Sequence, residues 1–187
     1  KLKINKDKIK VIYLGIDEKF FSVVNSKDFI NNFNYKEKYI LSILSCVRYH
    51  NILNLLKAYR DLIKEIDFNI KFLLITQILD KKYYRELNEF INKNFQNNEV
   101  IIKKNIESKY LVNLYKNSQL YLFTSYSEVF GFTSLEAMSQ RCPVLISDTS
   151  ALSEINNDAV EYFDPDNILE IKEKIKKILI DKKYKIN

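Results

Sequence analysis

Two glutamates eight positions apart, Glu128 and Glu136, bracket one of the two glycines in a chain of 187 residues. Average usage would give about 13 glycines in a chain of that length, so a retained one calls for a physical reason. The stretch reads SEVFGFTSLEAM, Ser127 to Met138. Gly131 permits positive φ, or close approach of the backbone to a ligand. Thr133 and Ser134 suit the start of a helix, whose first-turn N–H groups lack intrahelical acceptors and form an anion site. A phosphate-bearing ligand is the natural guest. Neither the GxGxxG dinucleotide fingerprint nor the GxxxxGK(S/T) phosphate loop occurs. The same residues have structural readings as well. Thr133-x-x-Glu136 matches a capping box, with Glu136 reaching back to the Thr133 N–H. Glu128 fits an exposed loop carboxylate, and Phe130 and Phe132 fit loop anchors packed on the core.

The elements that must position these residues alternate in type. Val11–Leu14 reads as extended, ending at Gly15. Tyr39–Leu44 is a strand by its β-branched content, and Asn51 stands ready to cap the amphipathic run ILNLLKAYRDLIKEI. Phe72–Thr76 (FLLIT) is continuously apolar, the pattern of a strand buried on both faces. Lys81–Asn94 is helical, Val100–Ile102 a strand, Tyr110–Tyr115 helical, Leu120–Phe123 a strand and Ser134–Gln140 a helix. Val144–Ile146 and Val160–Phe163 are strands, and Ile168–Ile180 closes as a helix. Alternation without a hairpin signal implies parallel strands joined by right-handed crossovers, an α/β doubly wound parallel sheet. One domain accounts for all of it. In open α/β sheets ligands sit beyond the carboxyl ends of strands, which is where Ser127–Met138 falls.

Composition narrows the function classes. The net charge of +6 lies in the two ends, so that the body is slightly acidic and basic-groove binding to nucleic acid is disfavoured. Cys46 and Cys142 belong to no CxxC or Cys/His cluster and read as structural thiols in a reducing compartment. With one histidine and no metal-ligand spacing, no metal is expected. Asp164-Pro165-Asp166 mimics a DxD metal motif but precedes a helix, where a turn and N-cap are favoured. No apolar run is long enough for a membrane-spanning helix, and a cytoplasmic location follows as an expectation. The charged beginning suggests a piece of a longer protein.

From Glu128 to Glu136, followed by AMSQRCPVLIS, the sequence resembles the E-x7-E signature of retaining glycosyltransferases of family 4 (group 1), which have the GT-B fold of two Rossmann-like domains. Lys8 to Asp17 resembles the segment leading into the C-terminal, nucleotide-sugar-binding domain of that fold, YILSILSCVRYHNILNLLKAY its first strand and helix, and SDTSALSEI with the Tyr162–Pro165 turn its later part. The resemblance implies that residues 1–187 are one donor-binding domain, 1–20 being the interdomain segment, with the N-terminal acceptor domain absent. It implies that Glu128 faces the transferred sugar, that Phe130, Gly131, Phe132 and Thr133 line the pyrophosphate and sugar, that Glu136 accepts from the ribose hydroxyls and that Ile106 lies near the nucleobase. The donor is then a nucleoside-diphosphate sugar used as substrate, with no cofactor and no metal. The acceptor is a glycan or lipid-linked molecule of the cell envelope, with peripheral association of the full-length protein at the inner face of the cell membrane.

Four positions depart from the family pattern. Val129 replaces the first glycine of E-G-F-G, which should crowd the loop. Ser45 and His50 stand where an arginine and a lysine normally clamp the diphosphate, weakening stabilisation of the leaving group. Arg48 is close enough in sequence to substitute, and His50 is charged part of the time near pH 7 or serves only as a helix-start residue bonded to backbone. Arg141 replaces the glycine before Cys-Pro. The expected function is therefore a retaining, metal-independent glycosyltransferase domain, inactive in isolation. The alternatives are a degenerate nucleotide-binding module acting as partner subunit, and a GT-B-like sugar-nucleotide epimerase.

Overall fold

The computed structural model describes residues 5–21, 37–96, 98–149, 151–181 and 184. Residues 1–4 of the expected interdomain segment, parts of both basic ends and Ser150 of the SDTSALSEI stretch lie outside them. Six strands form one sheet: β1 Tyr39–Ile43, β2 Lys71–Thr76, β3 Val100–Lys104, β4 Leu120–Phe123, β5 Val144–Ser147 and β6 Glu161–Phe163. Their order is β3-β2-β1-β4-β5-β6, and every neighbouring pair is parallel. This is the doubly wound α/β arrangement that the alternation predicts.

The helices are α1 Ile52–Ile63, α2 Lys81–Asn94, α3 Ser108–Asn117, α4 Phe132–Ser139, α5 Leu152–Asn156 and α6 Ile168–Ile180. They pack as two groups, α1 with α2 and α6, and α3 with α4. A sheet covered in this way buries its central strands on both sides, so Phe72, Leu73, Leu74 and Ile75 are all buried, as are all four residues of β4 and of β5. Burial of a large apolar side chain contributes about 1.5–3 kcal/mol; these strands and the α1 stripe Ile52, Leu55, Leu56, Tyr59 and Leu62 carry most of the core.

Several local expectations are corrected. Val11–Leu14, read as extended, pairs into no sheet; its side chains are exposed, and β-branched residues favour strands only where a pleated surface packs them. The stretch is anchored instead by the Tyr13 hydroxyl, which donates to Glu154 Oε1 at 2.8 Å. Gly15 has open space around it, so no close approach explains it. Asn51 occupies the cap position of α1, but its side chain does not cap. It adopts φ 49° and donates its amide to the Pro165 carbonyl at 2.7 Å. Asp164 and Asp166 make the expected turn, Asp166 N–H donating to Asp164 Oδ1 at 2.9 Å. The N-cap of α6 is the next residue, Asn167, which accepts from Glu170 N–H.

Among the described residues with side chains, positive φ occurs at Asn51, Asn98, Asn105, Arg141 and Asn157. Four of the five are asparagine, the residue that tolerates the left-handed region best after glycine. A chain poor in glycine makes its left-handed turns this way.

Candidate functional site

Strand order reverses between β1 and β4. From β1 the sheet grows one way through β2 and β3 and the other way through β4, β5 and β6. Connections therefore diverge at the carboxyl ends of β1 and β4 and leave a crevice between them. A cleft of about 560 Å³ opens there. Its walls come from the loop after β1 (Leu44, Ser45, His50), the ends of β2 and β3 (Thr76, Gln77, Asn105, Ile106), Leu111 of α3, and Glu128, Gly131, Phe132 and Thr133. Seven of the ten residues expected from sequence, Ser45, His50, Ile106, Glu128, Gly131, Phe132 and Thr133, meet in this cleft.

Backbone bonds fix the walls relative to each other. Leu44 N–H donates to Ile75 O and Cys46 N–H to Gln77 O, continuing the β1–β2 pairing past the strand ends. The loops after β1 and β4 are joined by Tyr126 N–H to Tyr49 O at 2.8 Å and by the Thr124 hydroxyl to His50 O. Farther out, the Ser147 hydroxyl accepts from Ser125 N–H and donates to Ser125 O, holding the loop after β4 to the end of β5.

Gly131 is the residue on which the loop turns. It sits at φ 81°, and a Cβ there would lie 2.5 Å from Leu152 Cδ2. It is also the cap position of α4, with no side chain capping the first turn. The Ser134 hydroxyl lies 2.7 Å from both Gly131 O and Asn156 Oδ1 and ties the turn to α5. The helix thus starts earlier than the sequence suggests, and Thr133 lies inside it. The capping box is not formed: Glu136 Oε2 accepts from the Tyr115 hydroxyl at 2.8 Å. With Thr133 at the cleft wall, the first-turn N–H groups of α4 stand at the edge of the cleft.

His50 is buried, and its Nδ1 lies 2.7 Å from Ser45 O. A carbonyl can only accept, so Nδ1 carries the proton and Nε2 remains for another partner. Burial pushes its pKa below 6.5, while the Ser45 carbonyl and the Glu128 charge pull it the other way.

Three expected site residues do not line the cleft. Arg48 turns outward, pairing with Glu86 at 2.8 Å and lying over the Tyr83 ring. It does not replace the missing clamp, and no lysine or arginine lines the cleft among the described residues. Phe130 is half-buried, its ring 4.6 Å from that of Phe132, so it backs a residue of the wall. Glu136 sits one turn behind Thr133. Burial raises its pKa, partly offset by the Tyr115 bond and by Lys19, with Asp17 adding to the rise. Val129 is 88% exposed and does not crowd the loop. Thr76, Gln77 and Asn105 were not singled out from sequence, although each follows or ends a strand at the carboxyl edge, the one signal that marks them.

A second cleft, about 450 Å³, lies beyond β5 and β6. The Tyr126 hydroxyl donates to Asp166 there, and Lys174 pairs with Glu170 and with the Tyr162 carbonyl. Both cysteines are free and buried, with burial pushing the Cys46 thiol up to about 11 and the Cys142 thiol up to about 12. No helix among the described residues is long and apolar enough to cross a membrane.

The chain is 23% identical over 185 residues to the serotype-specific mannosyltransferase WbdA of Escherichia coli, covering 97% of this chain and 23% of that protein. It is 25% identical over 164 residues to the O-antigen chain mannosyltransferase RfbU of Salmonella typhimurium, covering 88% and 42%. It therefore spans less than half the length of these curated relatives. In fold it is similar to the C-terminal domain of a glycosyl transferase group 1 family protein (LpcC) from Francisella tularensis, with TM-score 0.75, 19% identity and coverage of 91% of this chain and 90% of that one. It is likewise similar to a glycosyltransferase from Rickettsia africae, with TM-score 0.82, 23% identity and coverage of 94% and 48%. Residues 23–186 match the family described as Glycosyl transferases group 1, and the chain belongs to that family.

Proposed function

We propose that the chain is the donor-binding domain of a retaining, metal-independent glycosyltransferase. It takes a nucleoside-diphosphate sugar and transfers the sugar to a growing envelope glycan or glycolipid. The observation that carries this reading is the meeting of Glu128, Gly131, Thr133, Ser45 and His50 at the reversal point of the sheet, beside the uncapped first turn of α4. A diphosphate fits there because helix-start N–H groups donate to anions without a cation of their own.

In this reading the diphosphate lies against Gly131, Phe132 and Thr133, with Ser45 on its other side and His50 donating from Nε2 once the diphosphate has favoured its protonation. Glu128 faces the sugar, Ile106 and Asn105 lie towards the base, and Glu136 receives the ribose hydroxyls. The acceptor attacks from the face that the leaving phosphate occupies, and the phosphate takes the proton, so configuration is retained without a protein base on this domain. Both named curated relatives are mannosyltransferases, which favours mannose as the sugar. Transfer requires an acceptor site brought over the donor by a further domain, because closure excludes water and sets the attacking oxygen in range.

A second reading, a nucleotide-binding module without turnover, draws on the lack of lysine and arginine in the cleft. Two measurements separate the readings. Calorimetry of the 187-residue chain with GDP and UDP should show binding in the micromolar to millimolar range; no heat with either would overturn the donor-site reading. The complete protein, given GDP-mannose or UDP-hexoses and a membrane extract, should form product detected by mass spectrometry, with EDTA present. Binding without transfer in that protein leaves the module reading.

A further inference from the structure

Behind the wall of the cleft, two helices place a tyrosine against the second glutamate of the pair. Leu111 of α3 and Thr133 of α4 line the cleft; one turn deeper on the same two helices stand Tyr115 and Glu136. The Tyr115 hydroxyl donates to Glu136 Oε2 at 2.8 Å. Tyr115 is wholly buried, with its ring edge-on to Tyr121 at 5.4 Å and to Phe20 at 6.1 Å. A ring wedged between two others has no second rotamer to visit, so its hydroxyl is a fixed donor. The Glu136 side chain has several rotatable bonds and is only half-buried. Without a fixed partner it would sample several orientations behind the Thr133 wall.

We propose that Tyr115 is a positioning residue for nucleotide binding. It holds one carboxylate oxygen of Glu136 so that the other, Oε1, is presented to the vicinal hydroxyls of a ribose. This rests on the reading of the cleft as a nucleoside-diphosphate site. It adds a residue on a different helix, 21 positions earlier in the chain, whose chemistry acts only through Glu136. A preorganised acceptor loses less freedom when the ribose binds. The bond from Tyr115 therefore favours ribose-bearing ligands selectively and is neutral towards nucleotides that lack the hydroxyls.

The test is a ratio. GDP and UDP are titrated into the 187-residue chain alongside their 2′,3′-dideoxy forms, and the tighter-binding base is used. The wild type should prefer the ribose form by about tenfold, the scale of a hydrogen bond to a charged group. Glu136→Gln should lose most of that preference. Tyr115→Phe should shrink the preference to about threefold or less while leaving affinity for the dideoxy form unchanged, a pattern that general loosening of the fold would not produce. Preference retained by Tyr115→Phe but lost by Glu136→Gln overturns the positioning role and leaves the donor-site reading standing. No preference in the wild type overturns both the positioning role and the ribose contact, and no binding of any nucleotide overturns the donor-site reading itself. Should Tyr115→Phe not fold, 3-fluorotyrosine placed at position 115 alone keeps the donor. Its 19F resonance should move with ribose nucleotides and stay fixed with dideoxy ones; equal shifts for both would overturn the proposal.

Discussion

Helix α4 begins and ends on a left-handed residue, but the two ends are built differently. At the amino end Gly131 has φ 81°, and at the carboxyl end Arg141 has φ 57°. The carboxyl end is a Schellman turn: Arg141 N–H donates to Met138 O at 2.9 Å and Cys142 N–H to Ala137 O at 3.1 Å. Glycine is the usual residue at that position, yet this chain uses an exposed arginine there. At the amino end it keeps one of its two glycines. Dihedral preference does not separate the two ends, since both residues lie in the same region. Packing does. A Cβ at Gly131 would meet Leu152 at 2.5 Å, whereas Arg141 is an exposed residue. The glycine is retained where a second element presses on the turn, and that turn is the one beside the cleft.

The sharpest way to break this comparison is Gly131→Ala. The substitution forces a methyl group onto the buried Leu152 and holds alanine at a φ it disfavours. Overpacking and left-handed strain together should cost about 2–4 kcal/mol. For a chain of this size that lowers Tm by roughly 4–16 °C, and nucleotide affinity should fall with it because α4 can no longer start where it does. Denaturant unfolding measures the first effect and calorimetry the second. A loss below about 1 kcal/mol would mean that Leu152 gives way easily and that packing is not what preserves the glycine.

A smaller effect tests whether the amino end of α4 is the electrostatically active one. His50 is buried, which lowers its pKa from the ordinary histidine value. A diphosphate beside it would favour the charged ring, so binding should take up a proton. Affinity should rise as pH falls from 7.5 towards 5.5, by about three- to tenfold more in the wild type than in His50→Gln, which keeps a donor but does not titrate. The variant also corrects for protonation of the phosphate itself. Apo stability should move the opposite way. The unfolded chain takes the proton from about pH 6.5 downward while the folded one resists, so the wild type loses stability as pH falls through the folded pKa, and His50→Gln loses less. Parallel pH profiles for the two proteins in binding would remove His50 from the diphosphate site.

How much of this was legible before the structure depends on whether a feature is local. The strand Phe72–Thr76 declares itself by composition, and the loop from Glu128 to Thr133 by two carboxylates around a rare glycine. Convergence of Ser45 and His50 on that loop follows from the resemblance and from the carboxyl-edge rule for α/β sheets. The start of α4 is not legible locally, because Thr133 and Ser134 carry the side chains that usually cap, while the chain caps with glycine and no side chain. Proximity in sequence says nothing of direction: Glu86 and the Tyr83 ring on α2 draw Arg48 outward. The Tyr115–Glu136 contact spans two helices and could not be read from either. Val11–Leu14 has strand composition but no neighbour among the described residues to pair with.

The last and smallest effect is expected at the carboxyl end of α4. If Arg141 is tolerated only because its Cβ meets nothing, replacing it by glycine should relieve strain without opening a cavity. An ordinary residue in the left-handed region is disfavoured by about 1–2 kcal/mol, and glycine gives back roughly 0.5–1 kcal/mol through the greater freedom of the unfolded chain. The difference leaves Arg141→Gly more stable than wild type by about 0.5–1 kcal/mol. Arg141→Asn should fall between the two, since asparagine already serves at Asn51, Asn98, Asn105 and Asn157. Nucleotide affinity should be unchanged in both, because the Schellman turn lies at the far end of the helix from Thr133. Chemical denaturation of the three proteins side by side is sufficient. A glycine variant less stable than the arginine parent would show that the Arg141 side chain makes contacts worth more than the backbone strain, and the two ends of α4 would then differ in what their side chains contribute as well as in what presses on them.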